Sequence, residues 1–560
     1  MATISKKRQL GRQVSIVGAG LSQFGAFPEK DTRDLFVEAF QDMVQNMDRG
    51  FDIEDIECAY VGNYSSDLFE HQGHTAPIVA DWLGITPIPI TRIENACASS
   101  GSALREGVMA IASGMYDVVL VGGMEKMTNL PTDGVTDVLA SAADGLYEVP
   151  AGLTFPGIFG AIAKAHMDKY ETNLDHLLKV AIKNHSNGAL NPKAQFQQTV
   201  TEMMERRISR AQERGQEVPD YKTDMDFLND PRANPWIAWP LRLYDCAPIT
   251  DGASCVLLVS KEIAHSFADT PIDIAGIGQA TGKPLHDSDE LTSLSAAKAA
   301  SQQAYDMAGI TVADIDLAEV HDHRRDRGHR GPWVLRSGRG PSGGGRGTHR
   351  AGRRPPNQHF RRVEGQGPPG RRFGRRSGHR DLQATERRGR GTPGEQGRPN
   401  GRRHPQRRRH RRDLRGQRAA TGVVIMASEF NSSAFYSKLK EEKKLVGVKC
   451  QDCGHLSAEP RPMCPECHGF NMEWHPFSGR AKLSTFTCIS IVPVKMAAKG
   501  YGRDQPYCTG IVALEEGPRI SAMINGVDGT NPQSIKTGME MVLDADDLDE
   551  EAPALAFKPA

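Results

Sequence analysis

Between Val14 and about Gly282, short β-branched or apolar runs alternate with amphipathic stretches. The periodicities predict strands at Val14–Val17, Ala59–Val61, Ile88–Ile93 and Val118–Val121, and helices at Thr32–Gln45 and Ser100–Ala112. Helices are then predicted at Ile162–Tyr170 and Leu174–Ser186, strands at Ala253–Val259 and Ile272–Ile277, and a helix at Leu291–Ala308. Such alternation argues for α/β layers. The charged block Thr199–Trp239 reads as a surface loop or lid carrying a helix. No repeat is visible by eye, although two similar α/β halves could lie beneath diverged sequence. From His323 to about Arg418 the chain collapses to Arg, Gly, Pro and His, with too few aliphatic residues to bury a core. Globular patterning returns at Met426. A helix is predicted at Ala434–Lys443, and strands at Ala481–Val494, Thr509–Leu514 and Ile520–Ile524, punctuated by Gly479 and Gly526 as in a small barrel. The acidic run Asp546–Glu551 reads as a solvated terminal tail.

Composition sharpens this division. The 560 residues, 38% of them hydrophobic, suffice for several domains with real cores, which excludes a peptide, a fibre or a disulfide mini-protein. Basic and acidic residues number 69 each, a formal net charge of zero. The zero is a cancellation: residues 321–420 hold 30 Arg, no Lys and seven acids, about +23, which leaves the rest near −23. No run of about 18 apolar residues occurs, and Met1–Arg8 does not lead into a signal-peptide core, so a soluble, cytoplasmic chain without membrane partners is expected. Ten Cys are too sparse here for a disulfide framework, and four of them cluster with metal-ligand spacing, which fits a reducing compartment.

The chemically loudest stretch is Arg92–Leu104, which follows a strand and opens a helix rich in Ala and Gly. Cys97 would sit at that helix N-terminus, where unpaired amides favour thiolate over thiol and could hold an oxyanion. Taken alone, the residue reads more readily as a small buried core Cys. The wider context includes Asn95-Ala-Cys97-Ala-Ser-Ser-Gly101, Val121-Gly-Gly-Met-Glu-Lys-Met-Thr128 and Leu153-Thr-Phe-Pro-Gly157. Further along come Asn184-His-Ser-Asn187 with Asn191-Pro192, Asp245-Cys-Ala-Pro-Ile-Thr-Asp-Gly252 and Glu319-Val-His-Asp322. In this order, over about Val14 to Asp322, the motifs resemble the thiolase family, and its sterol-carrier-protein type most. The resemblance implies a five-layer thiolase fold of two similar α/β halves that dimerises. It implies Cys97 as the nucleophile that takes the acyl group as a thioester, and His321 as a residue helping to build an oxyanion hole for the enolate. By itself, a His after a strand is more often a structural hydrogen-bonding residue, and the surrounding match reverses that. The family's Gly-His-Pro loop, whose His activates the nucleophile, has no in-frame match downstream of His321, nor has the loop near its C-terminal end.

Two readings compete for residues 323–418. One is an Arg/Gly tract that binds nucleic acid through phosphate neutralisation and base stacking. The other is the missing thiolase half read in the wrong frame. Codons permitted by Arg362–Gly374, shifted by one base, can encode Gly-Leu-Lys-Ala-Lys-Gly-His-Pro-Val-Gly-Ala-Ser-Gly, which resembles the Gly-His-Pro loop. The shift also turns His323–Val334 into a plausible amphipathic helix, and Ala419–Ile425 then continues in frame as a glycine turn and strand. The frame change is the favoured reading, and nucleic acid is not expected as a partner. A chain so altered would lack the activating His, the family Cys just after the His-Asp pair, and much of the second half's core.

Cys450-x2-Cys453 and Cys464-x2-Cys467 supply four soft ligands with the spacing of a closed, structural zinc site. With the barrel-like strands that follow and Gln505-Pro-Tyr507, Met426 to Ala560 resembles the zinc-ribbon and OB-fold family that accompanies acyl-CoA thiolases. Members are associated with assembling thiolase complexes and shaping the CoA entrance. The domains expected are therefore 1–282 (thiolase N-terminal), 283–425 (thiolase C-terminal, with 323–418 frame-shifted and disordered), 426–475 (helix and zinc ribbon) and 476–560 (OB-fold with acidic tail). Met426 opens its module as a natural start would, so two neighbouring reading frames fused by frame errors are one origin, and an evolved fusion the other. The function implied is an acyl-CoA C-acyltransferase that cleaves or forms 3-ketoacyl-CoA, with CoA as substrate and a homodimer or a thiolase–OB hetero-oligomer as assembly. The alternative is a non-catalytic acyl-CoA-binding scaffold.

Overall fold

The computed structural model describes residues 9–321, 429–545 and 554–560, which pack as one unit. The first part contributes β1 (Val14–Leu21), β2 (Cys58–Gly62), β3 (Ile90–Ile93), β4 (Val118–Glu125), β5 (Trp236–Ala238), β6 (Leu241–Arg242), β7 (Gly252–Ser260) and β8 (Ile272–Ile274). Six of these form a mixed sheet in the order β3-β2-β4-β7-β1-β8. The pairs of β2 with β3 and β4 are parallel and the others antiparallel.

Helices cover both faces, which is why β4 reads as an unbroken apolar run. Val118 and Leu120 face a cluster with Leu35, Phe36, Ala39 and Met43 of the helix Thr32–Asn46. Val119 and Val121 point the other way, to Ala103, Val108 and Ile111 of the helix Ser99–Ala112. Gly107 lets that helix lie against the sheet, since a Cβ there would come within 2.4 Å of Val121 Cγ2.

Most predicted elements of this part are present, with shifted ends. The strand at 88 begins at Ile90, the strand at 272 ends at Ile274, and the helix at 291 begins at Ser295. The helix predicted from Ile162 starts earlier, at Phe155, capped by the Thr154 hydroxyl and with Pro156 in its first turn. The block 199–239 holds two helices rather than one, Val200–Glu213 and Asp224–Asn229, each opened by a Thr capping box, and then β5. The helix Ser295–Ala308 buries none of its side chains. The arginine-rich segment, its proposed frame change and residues 322–425 of the expected second thiolase half lie outside the described residues.

The second part adds β9 (Val446–Cys450), β10 (Leu456–Ser457), β11 (Met472–Pro476), β12 (Arg480–Ile489), β13 (Tyr507–Leu514), β14 (Arg519–Ile524), β15 (Glu540–Leu543) and β16 (Ala556–Pro559). The first three form a small sheet in the order β10-β9-β11, and the last five close on themselves as a barrel, β12-β13-β14-β16-β15. The strand predicted to reach Val494 stops at Ile489, and Val494 starts a short helix. The acidic run Asp546–Glu551 lies outside the described residues. Beyond it, Leu555, Ala556 and Phe557 are buried in the barrel core, where β16 pairs with both β14 and β15. Cys488 and Cys508, opposite each other on β12 and β13, form a disulfide. Among the described residues no helix is long and apolar enough to cross a membrane.

The two parts share a sheet: the β5–β6 hairpin extends the barrel through β12, with Ala238 opposite Ile489. A hydrogen-bonded seam continues the contact. Thr485 and Thr487 donate to the carbonyls of Ala161 and Trp239 at 2.5 and 2.8 Å, while Tyr507 and Thr509 donate to Gly152 and Ala151, both at 2.6 Å. Gly160 admits this approach, since a Cβ there would meet Thr487 Oγ1 at 2.8 Å.

Candidate active site and metal centre

Cys97 lies in a single 3-10 turn, Ala96–Ala98, between β3 and the helix Ser99–Ala112, with its side chain still reaching solvent. The turn is tightly wired. The Asn95 amide donates to Ser99 Oγ at 2.9 Å, Ser99 Oγ donates to the Ala96 carbonyl at 2.7 Å, and Asn95 Nδ2 donates to Ser102 Oγ at 2.9 Å. Ala96 is held at φ +45°, a left-handed conformation that an L residue adopts only when its surroundings impose it. Gly62 and Gly123, at the ends of β2 and β4, let the first helical turn sit directly on the sheet. A Cβ on Gly62 would meet the Ser100 amide nitrogen at 2.5 Å, and one on Gly123 would overlap the Ser100 side chain. The first-turn amides, which have no intrahelical partner, are thereby aimed at the end of the helix where Cys97 sits.

Glu125, at the end of β4, supplies the charge that acts on Cys97. Its carboxylate accepts from the Tyr64 and Ser65 amides at 2.8 and 3.2 Å and from Asn63 Nδ2 at 3.1 Å. Burial still pushes its carboxyl above the ordinary range. Burial and the Glu125 charge likewise raise the Cys97 thiol, against a favourable backbone hydrogen bond. The favourable effect of the helix end is thus outweighed at this thiol by burial and the Glu125 charge. His321 lies exposed in irregular chain after the turn Val312–Asp314 and is not among the groups acting on Cys97.

Two of the quoted motifs meet in a buried ion pair. Lys126 Nζ donates to Asp251 Oδ2 at 2.6 Å, with both side chains fully buried. Asp251 also accepts from the amides of Phe27, Met127 and Thr128 and from Thr128 Oγ1. These contacts hold its carboxyl below the usual range in spite of burial. The pair fixes the chain leaving β4 immediately after Glu125, so it positions the site from behind.

The four predicted zinc ligands converge. The sulfurs of Cys450, Cys453, Cys464 and Cys467 all lie within 4.8 Å of one another, with Cys450–Cys467 and Cys453–Cys464 each at 3.6 Å. A tetrahedral site with Zn–S bonds of about 2.3 Å has sulfur–sulfur edges of about 3.8 Å, so the residues present fit the metal. Each pair forms the same knuckle. The amides of Gly454 and His468 donate back to the carbonyls of Cys450 and Cys464, and both residues take positive φ, +79° and +61°.

Sequence reasoning missed His286, because nothing local marks it. The ring is buried, with Nε2 at 2.8 Å from Glu459 of the second part and Nδ1 at 3.8 Å from Glu148 of the first. Burial disfavours its charge, but the two carboxylates outweigh that and raise its pKa to about 9.

Comparison with known proteins accounts for this architecture. Residues 14–262 match the thiolase N-terminal domain and 278–325 the thiolase C-terminal domain-like model. An acetyl-CoA acetyltransferase of Methanothermobacter thermautotrophicus is 38% identical over 312 residues, which is 56% of this chain and 74% of the relative. The chain belongs to the thiolase family. Sterol carrier protein 2 of Homo sapiens is a further relative, 28% identical over 331 residues, 56% of this chain and 54% of that protein. Beyond the thiolase part, residues 438–473 match the rubredoxin-like zinc ribbon of ChsH2 and 474–546 its C-terminal OB-fold domain. Among solved structures, a monomeric SCP2-thiolase-like protein type 1 from Mycobacterium smegmatis aligns with a TM-score of 0.51 at 13% identity. That alignment covers 99% of this chain and 100% of the other, a likeness of fold.

Proposed function

We propose that this thiolase is an acyl-CoA C-acyltransferase working through a Cys97 acyl-enzyme. The observation that carries the reading is the strained turn that presents Cys97 at the amide end of Ser99–Ala112, seated on the glycine ends of β2 and β4. In the degradative direction a base takes the Cys97 proton and the sulfur attacks the keto carbon of a 3-ketoacyl-CoA. The bond between the keto carbon and the α-carbon breaks, the departing enolate of acetyl-CoA or a homologue is protonated, and free CoA then releases the acyl group from Cys97. Helix amides would stabilise the thioester oxyanion, and His321 the enolate. Synthesis by Claisen condensation runs the same steps in reverse. The four ribbon cysteines would hold a structural zinc, with no open position for substrate. The barrel holds Ala151, Gly152, Ala161 and Trp239 through the seam of hydroxyl donors, which is compatible with a role at the CoA entrance or in complex assembly.

A second reading is a chain that binds acyl-CoA without turning it over. The match to the thiolase C-terminal model stops at residue 325, where the arginine-rich segment starts, and this supports loss of the activating His by a change of frame. Intact-protein mass spectrometry after incubation with acyl-CoA separates the two. An acyl adduct that disappears in Cys97→Ala supports the transferase. Its persistent absence in a protein made from the frame-corrected gene supports the scaffold. Resequencing the DNA for residues 318–426 tests the frame change itself: an uninterrupted arginine-rich frame with ordinary codon usage refutes it.

A further inference from the structure

The barrel carries one disulfide in a chain whose eight other cysteines are free, four of them converging with zinc-ligand spacing. That is the usage of a chain kept in reducing surroundings, where a disulfide that persists is commonly one that exchanges. Its place in the fold is particular. Cys488 and Cys508 face each other one rung before Ile489 and Tyr507, where β12 and β13 part, so the bond closes the mouth of the loop 490–506. Both strands grip the first part at this level. Thr487, Tyr507 and Thr509, the residues beside the two cysteines, are donors of the seam, and the Cys488 carbonyl accepts from the Trp239 amide at 2.9 Å. The loop itself lies on the first part. Val492 and Met496 pack with Ile489, Tyr507 and Ala238, the Val494 amide donates to Asp137 Oδ2 at 3.3 Å, and the short helix Val494–Ala498 meets the helix Thr132–Ala140. Both cysteines are buried, and the cover over Cys508 is backbone. A Cβ on Gly529 would lie 2.4 Å from the Pro506 carbonyl oxygen and 3.3 Å from Cys508 Sγ. Pro506 is the last residue of the loop, so a reagent reaches this sulfur when the loop lifts.

We infer that Cys488 and Cys508 form a thiol–disulfide exchange site, whose oxidised state clamps the loop 490–506 onto the helix Thr132–Ala140 and whose reduced state releases it. The co-reactant is a dithiol in one direction and a low-molecular-mass disulfide in the other. In reduction a thiolate of the dithiol attacks Cys508 Sγ, the bond between the two protein sulfurs breaks, and Cys488 leaves as a thiolate that takes up a proton. The reagent's second thiolate then attacks its own sulfur in the mixed disulfide. Cys508 leaves and is protonated in turn, and the dithiol, having given up two electrons and two protons, ends as a cyclic disulfide. Oxidation is the reverse exchange. The ladder between β12 and β13 runs on to Ala481 and Leu514, so the strands stay paired without the bond, and what the bond adds is closure of the loop. The helix under the loop leads to the Cys97 turn. Tyr64 Oη donates to the Val138 carbonyl at 2.9 Å and lies 2.8 Å from Ser141 Oγ, and the Tyr64 amide holds Glu125.

Titration of the full chain with dithiothreitol, followed by alkylation and peptide mass mapping, tests this. The pair should open while the circular dichroism stays that of the folded chain, and oxidised glutathione should close it again. On reduction, hydrogen exchange of residues 490–506 and 132–141 should rise about tenfold or more, since the clamp across a loop of 20 residues is lost, while β4 keeps its protection. Cys488→Ala combined with Cys508→Ala should show the fast exchange from the outset and no response to dithiothreitol. A pair that opens only with global unfolding is a structural staple, and one that opens without faster exchange in the loop is no clamp; either result overturns the inference. So do two thiols that oxidised glutathione fails to join. None of these readouts depends on chemistry at Cys97.

Discussion

Removing Asp251 should be far more damaging than removing its partner Lys126, although the two form one ion pair. Asp251→Ala leaves a fully buried ammonium with only the Thr128 hydroxyl beside it, and deprives the amides of Phe27, Met127 and Thr128 of their acceptor. An uncompensated buried charge costs about 3–5 kcal/mol, and each orphaned donor adds to that. Lys126→Met leaves a carboxylate that still accepts three amides and a hydroxyl, so its cost should be lower by about 2 kcal/mol or more. Urea denaturation of the two variants and the wild type, compared at constant m, reads the difference as a shift in midpoint. Because the pair anchors the chain that carries Glu125, Asp251→Ala should also change the alkylation rate of Cys97. Equal costs for the two substitutions, or a larger cost for Lys126→Met, would refute the view that backbone amides rather than the lysine do most of the solvating of Asp251.

Three further outcomes are expected. Glu125→Gln removes the carboxylate charge that raises the Cys97 thiol, so iodoacetamide should label Cys97 faster in the variant near pH 8, and an unchanged pH–rate profile contradicts that coupling. His286 is raised to about 9 in the folded protein from 6.5, so its contribution, about 3 kcal/mol, is complete below pH 6.5 and is lost as pH climbs through 9. Stability should therefore fall over that window in the wild type and much less in His286→Gln, as thermal melts at each pH will show. A zinc chelator, or Cys464→Ser, should abolish one bound zinc per chain and release the ribbon while leaving the Cys97 turn intact. Metal analysis with hydrogen exchange over residues 446–476 checks both halves of that statement.

Local periodicity was enough to find the sandwiched sheet, because β4 and the helices Thr32–Asn46 and Ser99–Ala112 obey their patterns over many residues. The zinc knuckles were legible for a different reason: four thiols at that spacing have few other uses. What stayed hidden depends on distant partners. β16 was masked by the acidic run before it, since nothing in four residues of chain announces that a barrel lacks one strand. The second helix of the block 199–239 is only six residues long, too short for a periodicity, and its buried Phe227 and Leu228 sit among charged neighbours. His286 takes its character from Glu148 and Glu459, more than a hundred residues away on either side, and Glu125 influences Cys97 from the end of another strand. The lowered thiol expected from the helix end was outweighed by desolvation, a term that depends on packing and is invisible in a motif.

The hairpin of β5 and β6 sets an order of events during synthesis. Its pairing edge becomes available once Arg242 is made, whereas β12, which covers it, begins at Arg480. At about 5–20 residues per second, the ribosome needs roughly 10–50 s to bridge that gap. Throughout that interval the nascent chain displays an open strand edge next to Ile237 and Trp239, side chains that are buried in the finished protein. Expression of the first part alone would make that interval permanent, and co-expression with residues 426–560 is the simplest means of keeping it soluble.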